Sequence, residues 1–298
     1  MRVCLIVNPA ARAGSGDAPA TRAATRLRAA GVDVETVTPA DAAGTAAAVD
    51  TVATTGVDAV LVAGGDGTVG LALARLRGGI PLGIVPTGTG NDLARALGLA
   101  ADDDALVDAV RSGTTRRIDL AVVTDAAGRA SRFATVFASG FDSRVNDRAN
   151  RMRWPRGPLR YTLAILLEFL VLRAIPYVIE LEHADGTMTR IEEELLVAAV
   201  GNSRSYGGGI PICPDAILDD GLLDVTLIRS AGRLRLLRLL RSVYAGTHTA
   251  APEVRTFRVR AVSLAAPGST GYADGEPLGA LPVRISVEPA AVTVLAAR

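Results

Sequence analysis

The first 116 residues alternate between short apolar runs and segments with helical patterning, and this alternation limits the fold more than any other feature of the chain. The apolar runs predict four buried strands, at residues 3–8, 32–38, 58–64 and 80–86. The intervening segments predict helices at residues 19–30, 41–55, 67–76 and 92–97. Strands that are apolar throughout and separated by helices are typical of a parallel sheet covered on both faces. We therefore predict an α/β architecture for this part.

The pattern changes after about residue 116, where strand-like runs follow one another with turn residues between them. These runs lie at residues 116–125, 131–140, 177–186, 189–202, 222–228, 254–266, 271–277 and 282–296. Two helical insertions, at residues 158–176 and 229–246, interrupt the series. The second half is therefore predicted to be β-rich and antiparallel, with a domain boundary near residue 120.

Composition excludes several classes of protein. The net charge of +1 argues against bulk electrostatic binding of nucleic acid. The chain contains no lysine, so it lacks the lysine of a Walker P-loop and of a protein-kinase strand, and any phosphate clamp must use arginine, backbone amides or metal. Cys4 and Cys213 form neither a disulfide framework nor a zinc cluster, which favours a reducing, cytoplasmic compartment. His183 and His248 lack ligand spacing and are predicted to lie on the surface.

The third predicted strand ends in a turn that is suited to binding phosphate. It consists of Gly64, Gly65, Asp66, Gly67 and Thr68, and a helix begins there. Glycines let a phosphate approach the backbone amides, and a helix N-terminus favours an anion. Asp66 is a candidate ligand for Mg²⁺, and Thr68 could cap the helix or bond a phosphate oxygen. The same residues could also form a tight turn with a helix cap and no ligand.

Three further strand ends carry candidate nucleotide-binding residues at the same predicted edge of the sheet. The fourth strand ends in Pro86, and Thr89, Asn91 and Asp92 follow among glycines. The second strand ends at Thr38, which could equally be an ordinary strand-end threonine. The first strand leads into a glycine-bearing turn with Arg12 as the cation nearest the phosphates; its candidate residues are Asn8, Pro9, Ala10, Ala11 and Arg12. Because these turns follow neighbouring strands, together they predict one polar cleft.

These segments in this order resemble the diacylglycerol kinase catalytic-domain family. The resemblance rests on NPAARAGSG, GGDGT, PTGTGND, the stretch from GNSRSYGGG to DDGLLDV, and YADGEP, and so covers nearly the whole chain. GGDGT alone is less specific, since NAD kinases and phosphofructokinases have similar turns. Many family members continue GGDGT with Asn-Glu, whereas this chain has Gly70 and Leu71. The resemblance implies an α/β fold class, with an N-terminal NAD-kinase-like, Rossmann-type domain (1–120) and a C-terminal β-sandwich (121–298) whose last strand can return to the first domain.

The resemblance also implies an activity and its cofactors. The expected reaction transfers the γ-phosphate of ATP, bound with Mg²⁺, to a lipid hydroxyl, with diacylglycerol as the leading acceptor and phosphatidic acid as the product. Asn8–Arg12, Thr38, Gly65–Leu71 and Thr89 would line the ATP site, with Asp66 and Asp92 as the carboxylates of the Mg-ATP cleft. A structural Mg²⁺ is implied at the backbone carbonyls of Ile217 and Leu222 and the carboxylate of Asp220.

The segment YADGEP carries the candidate catalytic carboxylates. From the residues alone, Asp274 and Glu276 could be solvated side chains of a hairpin turn, because Asp-Gly is a common turn pair. The resemblance implies instead that Glu276 accepts the proton of the lipid hydroxyl, with Asp274 close beside it.

Two helical segments are candidate contacts with the inner face of a membrane. Residues 158–176 are strongly apolar and residues 229–246 are basic and amphipathic, although the leucines of the latter could pack on the sandwich instead. Trp154, with Arg151, Arg153 and Arg156, forms a third candidate patch. No apolar run is long enough to span a bilayer. A homodimer is one of the oligomeric states the sequence allows.

Two other functions stay open from the sequence. An NAD kinase would phosphorylate a soluble nucleotide and has a similar glycine turn and a β-rich second domain. A non-catalytic module that binds a nucleotide or a lipid is the other alternative. The acceptor itself is also undecided among diacylglycerol, sphingoid bases, ceramide, phosphatidylglycerol and polyketide-like lipids.

Overall fold

In a computed structural model, the chain forms two compact units. The structure describes residues 1–8, 17–52, 54–76, 79–99, 103–152, 154, 158–274 and 276–296. The first unit contains residues 1–120, 207–209 and 288–298, and the second contains residues 121–206 and 210–287.

The first unit is a parallel sheet with helices between its strands. Its elements are β1 (Arg2–Val7), α1 (Asp17–Ala29), β2 (Asp33–Val37), α2 (Ala42–Val52), β3 (Ala59–Gly64), α3 (Asp66–Arg75), β4 (Leu82–Pro86), α4 (Asp92–Ala96), α5 (Asp103–Ser112) and the start of β5 (Thr115–Asp125). The parallel pairs join β2 to β1, β1 to β3 and β3 to β4. All six residues of β3 are buried, as expected for a strand covered on both faces.

The second unit is antiparallel and, in the part that the structure describes, carries three α-helices. Its elements are β6 (Ala130–Phe133), β7 (Val136–Gly140), α6 (Phe141–Arg151), α7 (Pro158–Leu170), β8 (Ile175–Glu182), β9 (Met188–Gly201), β10 (Leu223–Arg229), α8 (Arg233–Tyr244), a short 3-10 helix (His248–Ala250), β11 (Val254–Val259), β12 (Ala261–Ala265), β13 (Thr270–Ala273), β14 (Glu276–Ala280) and the start of β15 (Val283–Leu295). Its sheet has the order β14, β13, β7, β9, β8, β12, β15, and β10 pairs with both β9 and β11.

The long strand β9 organises the second unit. Its first half pairs with β8, and its second half pairs with β7 on one side and β10 on the other. One apolar core fills the sandwich, and a second lies between the sheet and the helices, with Leu236 and Leu239 of α8 in it. The predicted fold class, an α/β domain followed by a β-sandwich, is confirmed.

The last strand, β15, contributes to both units. Its residue Ser286 pairs with Ala261 of β12 in the second unit, whereas Val294 pairs in parallel with Leu82 of β4 in the first. The end of β15 therefore forms an additional strand of the parallel sheet, next to β4.

Several predictions about local structure were wrong. Residues 131–140 form two strands rather than one, as do residues 254–266. The helices α5 and α6 were not predicted. His248 is fully buried, and its Nε2 lies 3.0 Å from the carbonyl oxygen of Ile212. None of the helices in the described ranges has the length and apolar character needed to cross a membrane.

Candidate functional site

The carboxyl edge of the parallel sheet has a switch point between β1 and β3. The chain leaves β1 towards β2 on one side and returns to β3 on the other side. In open α/β sheets, ligands bind in the crevice outside such a point. Asn8 follows β1 there: its N–H donates to the carbonyl of Ala63 at 3.0 Å, and its side-chain amide donates to the hydroxyl of Thr68. The rest of the turn, including Pro9, Ala10, Ala11 and Arg12, lies outside the described residues.

The turn after β3 opens directly into α3. Asp66 is the first helical residue and Gly65 is the N-cap in an extended conformation, so the free N–H groups of the first turn point out of the sheet edge. A Cβ atom at Gly64 would lie 2.5 Å from the Cβ of Thr68, and the buried Thr68 therefore requires glycine at this position. Gly67 is exposed and leaves the start of the helix open.

The turn after β4 packs against the turn after β3. The N–H of Thr87 donates to the carbonyl of Gly64 at 3.1 Å. A Cβ atom at Gly88 would lie 2.6 Å from the Cα of Gly65, so the two backbones are as close as glycine permits. Asn91, with φ of 55°, exchanges hydrogen bonds with the backbone of Gly88 at 3.0 and 2.7 Å. The structure thus brings both glycine motifs into one continuous surface.

Asp66 ties the two turns together. Its carboxylate accepts the backbone N–H groups of Asn91 at 2.9 Å and Asp92 at 2.8 Å, at the start of α4. Burial, followed by the nearby charge of Asp92, raises the pKa of Asp66 above its usual value. A carboxylate has about four acceptor sites, so Asp66 retains capacity to bind a cation.

Asp92 is 3% exposed, and both of its oxygens accept backbone N–H groups. The donors are Gly208 at 2.9 Å and Gly209 at 2.8 Å, from the three-residue segment that the first unit includes from later in the chain. The contacts seen in the structure therefore hold a loop in place. Sequence reasoning missed this partner; the glycine run in YGGG was the available signal.

Two threonines that were predicted to contact the nucleotide lie at the same edge. Thr38 follows β2 and Thr89 lies in the turn after β4, and both are exposed. Neither is needed to fill the core, so both hydroxyl groups are accessible to a ligand.

The second unit distinguishes the two carboxylates of the YADGEP segment. Asp274 has φ of 50°, and its carboxylate accepts the N–H groups of Ala134 at 3.0 Å and Thr135 at 3.1 Å together with the Thr135 hydroxyl. Glu276 begins β14 and is exposed. Gly275, between them, lies outside the described residues. Asp274 is thus anchored to the backbone, whereas the side chain of Glu276 can reach a bound molecule.

A buried asparagine that sequence reasoning did not single out supports this anchor. Asn202, fully buried after β9, donates its N–H to the carbonyl of Thr135 at 2.9 Å and its side-chain amide to the carbonyl of Ala134 at 3.0 Å. It therefore fixes the two residues whose N–H groups hold Asp274.

Nearby in the sequence, Tyr206 hydrogen-bonds Asp142, and burial raises the pKa of Asp142 to about 6.

The predicted structural Mg²⁺ ligands lie in the loop before β10. Asp220 accepts the N–H of Leu222 at 3.0 Å through Oδ1, and Arg258 contacts its Oδ2. One carboxylate with the carbonyls of Ile217 and Leu222 is an all-oxygen donor set, which suits Mg²⁺. A cation there would compete with Arg258. Within the described ranges, no group of three or more His, Cys, Asp and Glu side chains could hold a metal.

The sequence matches two protein-family models. Residues 2–123 match the "Diacylglycerol kinase catalytic domain", and residues 135–296 match the "YegS C-terminal NAD kinase beta sandwich-like domain". The chain is 45% identical over 299 residues to a Mycobacterium tuberculosis protein named "Diacylglycerol kinase", covering 100% of this chain and 96% of the relative.

More distant relatives agree with these matches. A Pseudomonas aeruginosa protein named "Probable lipid kinase YegS-like" is 35% identical over 246 residues, covering 79% of this chain and 76% of the relative. The crystal structure of a putative diacylglycerol kinase from Bacillus anthracis aligns with a TM-score of 0.76 over 99% of this chain and 96% of the other, at 23% identity. At that identity the likeness concerns the fold.

Proposed function

The chain belongs to the diacylglycerol kinase catalytic-domain family, and we propose that it transfers the γ-phosphate of ATP to the hydroxyl of diacylglycerol. It is a lipid kinase. The product would be phosphatidic acid, which would connect the protein to phospholipid biosynthesis. The observation that carries the proposal is the pair of glycine turns after β3 and β4, which pack against each other at the carboxyl edge of the parallel sheet, beside the switch point.

The first unit would bind ATP in the crevice at the carboxyl ends of β1 and β3. The backbone N–H groups at the start of α3 would face the phosphates, and Thr38 and Thr89 would lie against the rest of the nucleotide. A chain without lysine must neutralise the phosphates by amides, arginine and metal, and Arg12 is the candidate cation in the sequence. The close approach of Gly65 and Gly88 supports this assignment because it leaves the backbone bare of side chains.

Asp66 is the carboxylate best suited to hold Mg²⁺ beside the phosphates. It is only partly buried and retains lone pairs, whereas Asp92 is almost wholly buried and is engaged by Gly208 and Gly209. We accordingly propose a supporting role for Asp92. Bound Mg²⁺ would supply positive charge against the triphosphate oxygens.

Glu276 would accept the proton of the lipid hydroxyl. As the hydroxyl oxygen forms its bond to the γ-phosphorus, the bond from that phosphorus to the bridging oxygen of ADP breaks, and the proton moves to a carboxylate oxygen of Glu276. Asp274 would act through position, because its oxygens are committed to Ala134 and Thr135 while it sets the start of the turn that carries Glu276. The exposure of Glu276 supports the catalytic assignment, since a general base must be accessible to its substrate.

The names of the relatives support diacylglycerol as the acceptor. This acceptor resides in a membrane, so we propose that the protein works as a cytoplasmic enzyme bound peripherally at the inner membrane face. A homodimer remains compatible with the proposal.

The proposal is tested with γ-labelled ATP, Mg²⁺ and mixed micelles that contain diacylglycerol. We expect label in the organic phase from the wild-type protein and none from Glu276→Gln, which should still bind ATP. Glu192→Gln is the matched control, because Glu192 is an exposed glutamate in the same unit that pairs with Arg190 at 2.7 Å. A fully active Glu276→Gln protein would remove Glu276 from the mechanism. Label in an aqueous product when NAD is offered would mean a soluble acceptor, and ATP binding without turnover would mean a non-catalytic module.

A further inference from the structure

Exposed large apolar side chains concentrate in one short segment of the second unit. Twelve such side chains are exposed among the described residues, and six of them lie between residues 154 and 171. We call these six the α7 surface: Trp154, Leu159, Tyr161, Leu166, Leu170 and Val171. Their exposed fractions run from 41% for Tyr161 to 79% for Trp154. Scattered exposed leucines are ordinary, but a concentration of exposed apolar side chains in one segment is a candidate binding surface.

The leucines of the α7 surface are not the residues through which α7 packs on the rest of the unit. Ala164 and Ile165 pack against α6, and Phe169 joins the core between the sheet and the helices. Leu159, Leu166 and Leu170 recur at spacings of seven and four residues, which places them along the opposite side of the helix. Half or more of each of these three leucines is exposed. The fold therefore does not require leucine at these positions.

The charge of the segment around the α7 surface is positive. Residues 141–175, which include α6 and α7, contain seven arginines and three acidic residues, Asp142, Asp147 and Glu168. Glu168 is 6% exposed and pairs with Arg148 at 2.6 Å, with Arg144 also nearby at 3.9 Å. Its charge is thus turned inward and neutralised, and exposed Arg151 and Arg173 lie at the two ends of the segment. An apolar face with a basic border is complementary to an anionic phospholipid surface.

The exposed tryptophan and tyrosine of the α7 surface fit the same partner. Trp154 is the most exposed large apolar side chain among the described residues, and Arg160 stacks over the ring of Tyr161 with its guanidinium carbon 5.7 Å from the centroid. Aromatic rings with a polar edge favour the level of lipid headgroups. The helix has 13 residues, so it would lie in the plane of the interface rather than cross it.

We propose that the α7 surface docks the protein on an anionic phospholipid bilayer, with Leu159, Leu166 and Leu170 inserted below the headgroups. The inference rests on the proposed function, in which the acceptor is a membrane lipid. It assigns the surface through which the enzyme would reach that lipid. The helix α8 is the competing face. Its Leu236, Leu239 and Val243 are buried in the core, and its exposed large apolar side chains, Leu234, Leu237 and Tyr244, are half as many as those of the α7 surface.

The test compares co-sedimentation with vesicles of phosphatidylcholine and phosphatidylglycerol. We expect Leu166→Asp/Leu170→Asp to bind at least about tenfold more weakly than the wild-type protein. Leu234→Asp is the matched control, because Leu234 is a 74% exposed leucine on α8 and is replaced by the same residue. This variant should bind vesicles as the wild-type protein does. Added salt, or vesicles of phosphatidylcholine alone, should weaken wild-type binding. Arg173→Glu is a second variant that leaves the leucines intact and should also weaken binding.

Turnover separates docking from catalysis. The double variant should lose activity on diacylglycerol in vesicles but retain it on a water-soluble, short-chain diacylglycerol. If the double variant binds vesicles as the wild type does, or if only Leu234→Asp weakens binding, the proposal is overturned. The proposal is also overturned if the double variant converts a dimer into monomers without changing vesicle binding. If the wild-type protein binds vesicles through this face yet phosphorylates neither acceptor, the docking surface stands and the proposed function fails.

Discussion

Replacing Asp92 with asparagine should destabilise the protein even when no nucleotide or metal is present. Asp92 is 3% exposed and its two oxygens accept the N–H groups of Gly208 and Gly209. Asparagine keeps one acceptor oxygen but turns an NH₂ donor towards the other N–H, so two buried donors face each other. An unsatisfied buried donor costs about 1–3 kcal/mol, and hydrogen bonds to a charged group are worth about 1.5–3 kcal/mol. We therefore expect a loss of about 3 kcal/mol, or roughly 6–12 °C in Tm.

The assay is thermal and urea unfolding of the protein in EDTA, followed by circular dichroism. The control is Asp50→Asn, which breaks an exposed ion pair with Arg75 at 2.7 Å in the same unit. Such a surface pair contributes about 0–1 kcal/mol, so the control should unfold close to the wild type. Unchanged stability of Asp92→Asn in EDTA, combined with weaker binding of Mg²⁺, would refute the reasoning and make Asp92 a metal ligand.

Two further changes test the site and the buried charge. Gly88→Ala should weaken ATP binding, because the new Cβ would lie 2.6 Å from the Cα of Gly65 and would force the two turns apart by about 1 Å, a displacement that can lower activity about 100-fold. Gly232→Ala, which has open space around it, is the control in nucleotide titrations. Equal affinities of Gly88→Ala and the wild-type protein for ATP would contradict the packing argument. Asp142→Asn should change the pH dependence of unfolding, because burial raises the folded pKa of Asp142 from 3.8 to about 6. The folded state then binds the proton more tightly, so wild-type stability should fall relative to the variant by up to about 3 kcal/mol as pH rises from about 4 to above 6; parallel stability curves would show that the carboxyl group is solvated.

The parallel half of the fold could be predicted because its periodicity is strong. Strand β1, for example, is a continuous apolar run at residues 3–7. Gly65 and Gly88 mark the ends of β3 and β4, because glycine is the residue that tight turns most often require. The structure brings these strand ends to one edge, as the parallel arrangement requires. Helix α7 was predicted from residues 158–176, although it ends at Leu170.

Other features could not be predicted because they depend on contacts distant in the sequence. Helix α6 is rich in polar residues and shows no apolar run, and it is defined by its packing against α7. His248 is polar and lies two residues after Gly246, yet it is buried in the core, where its Nε2 hydrogen-bonds the carbonyl of Ile212. The sequence around Asp92 indicates only the start of a helix. The glycines that bind its carboxylate lie 116 and 117 positions later, so no local pattern connects them to Asp92.

The return of β15 to the parallel sheet has a consequence for the order of events during synthesis. Residues 1–120 leave the ribosome before the end of β15, whose Val294 pairs with Leu82 of β4. Until then, β4 keeps an edge of unpaired backbone groups, which is a site for wrong pairing with other chains. A first unit that lacks the end of β15 should therefore be more prone to such wrong pairing than one in which β15 lies beside β4.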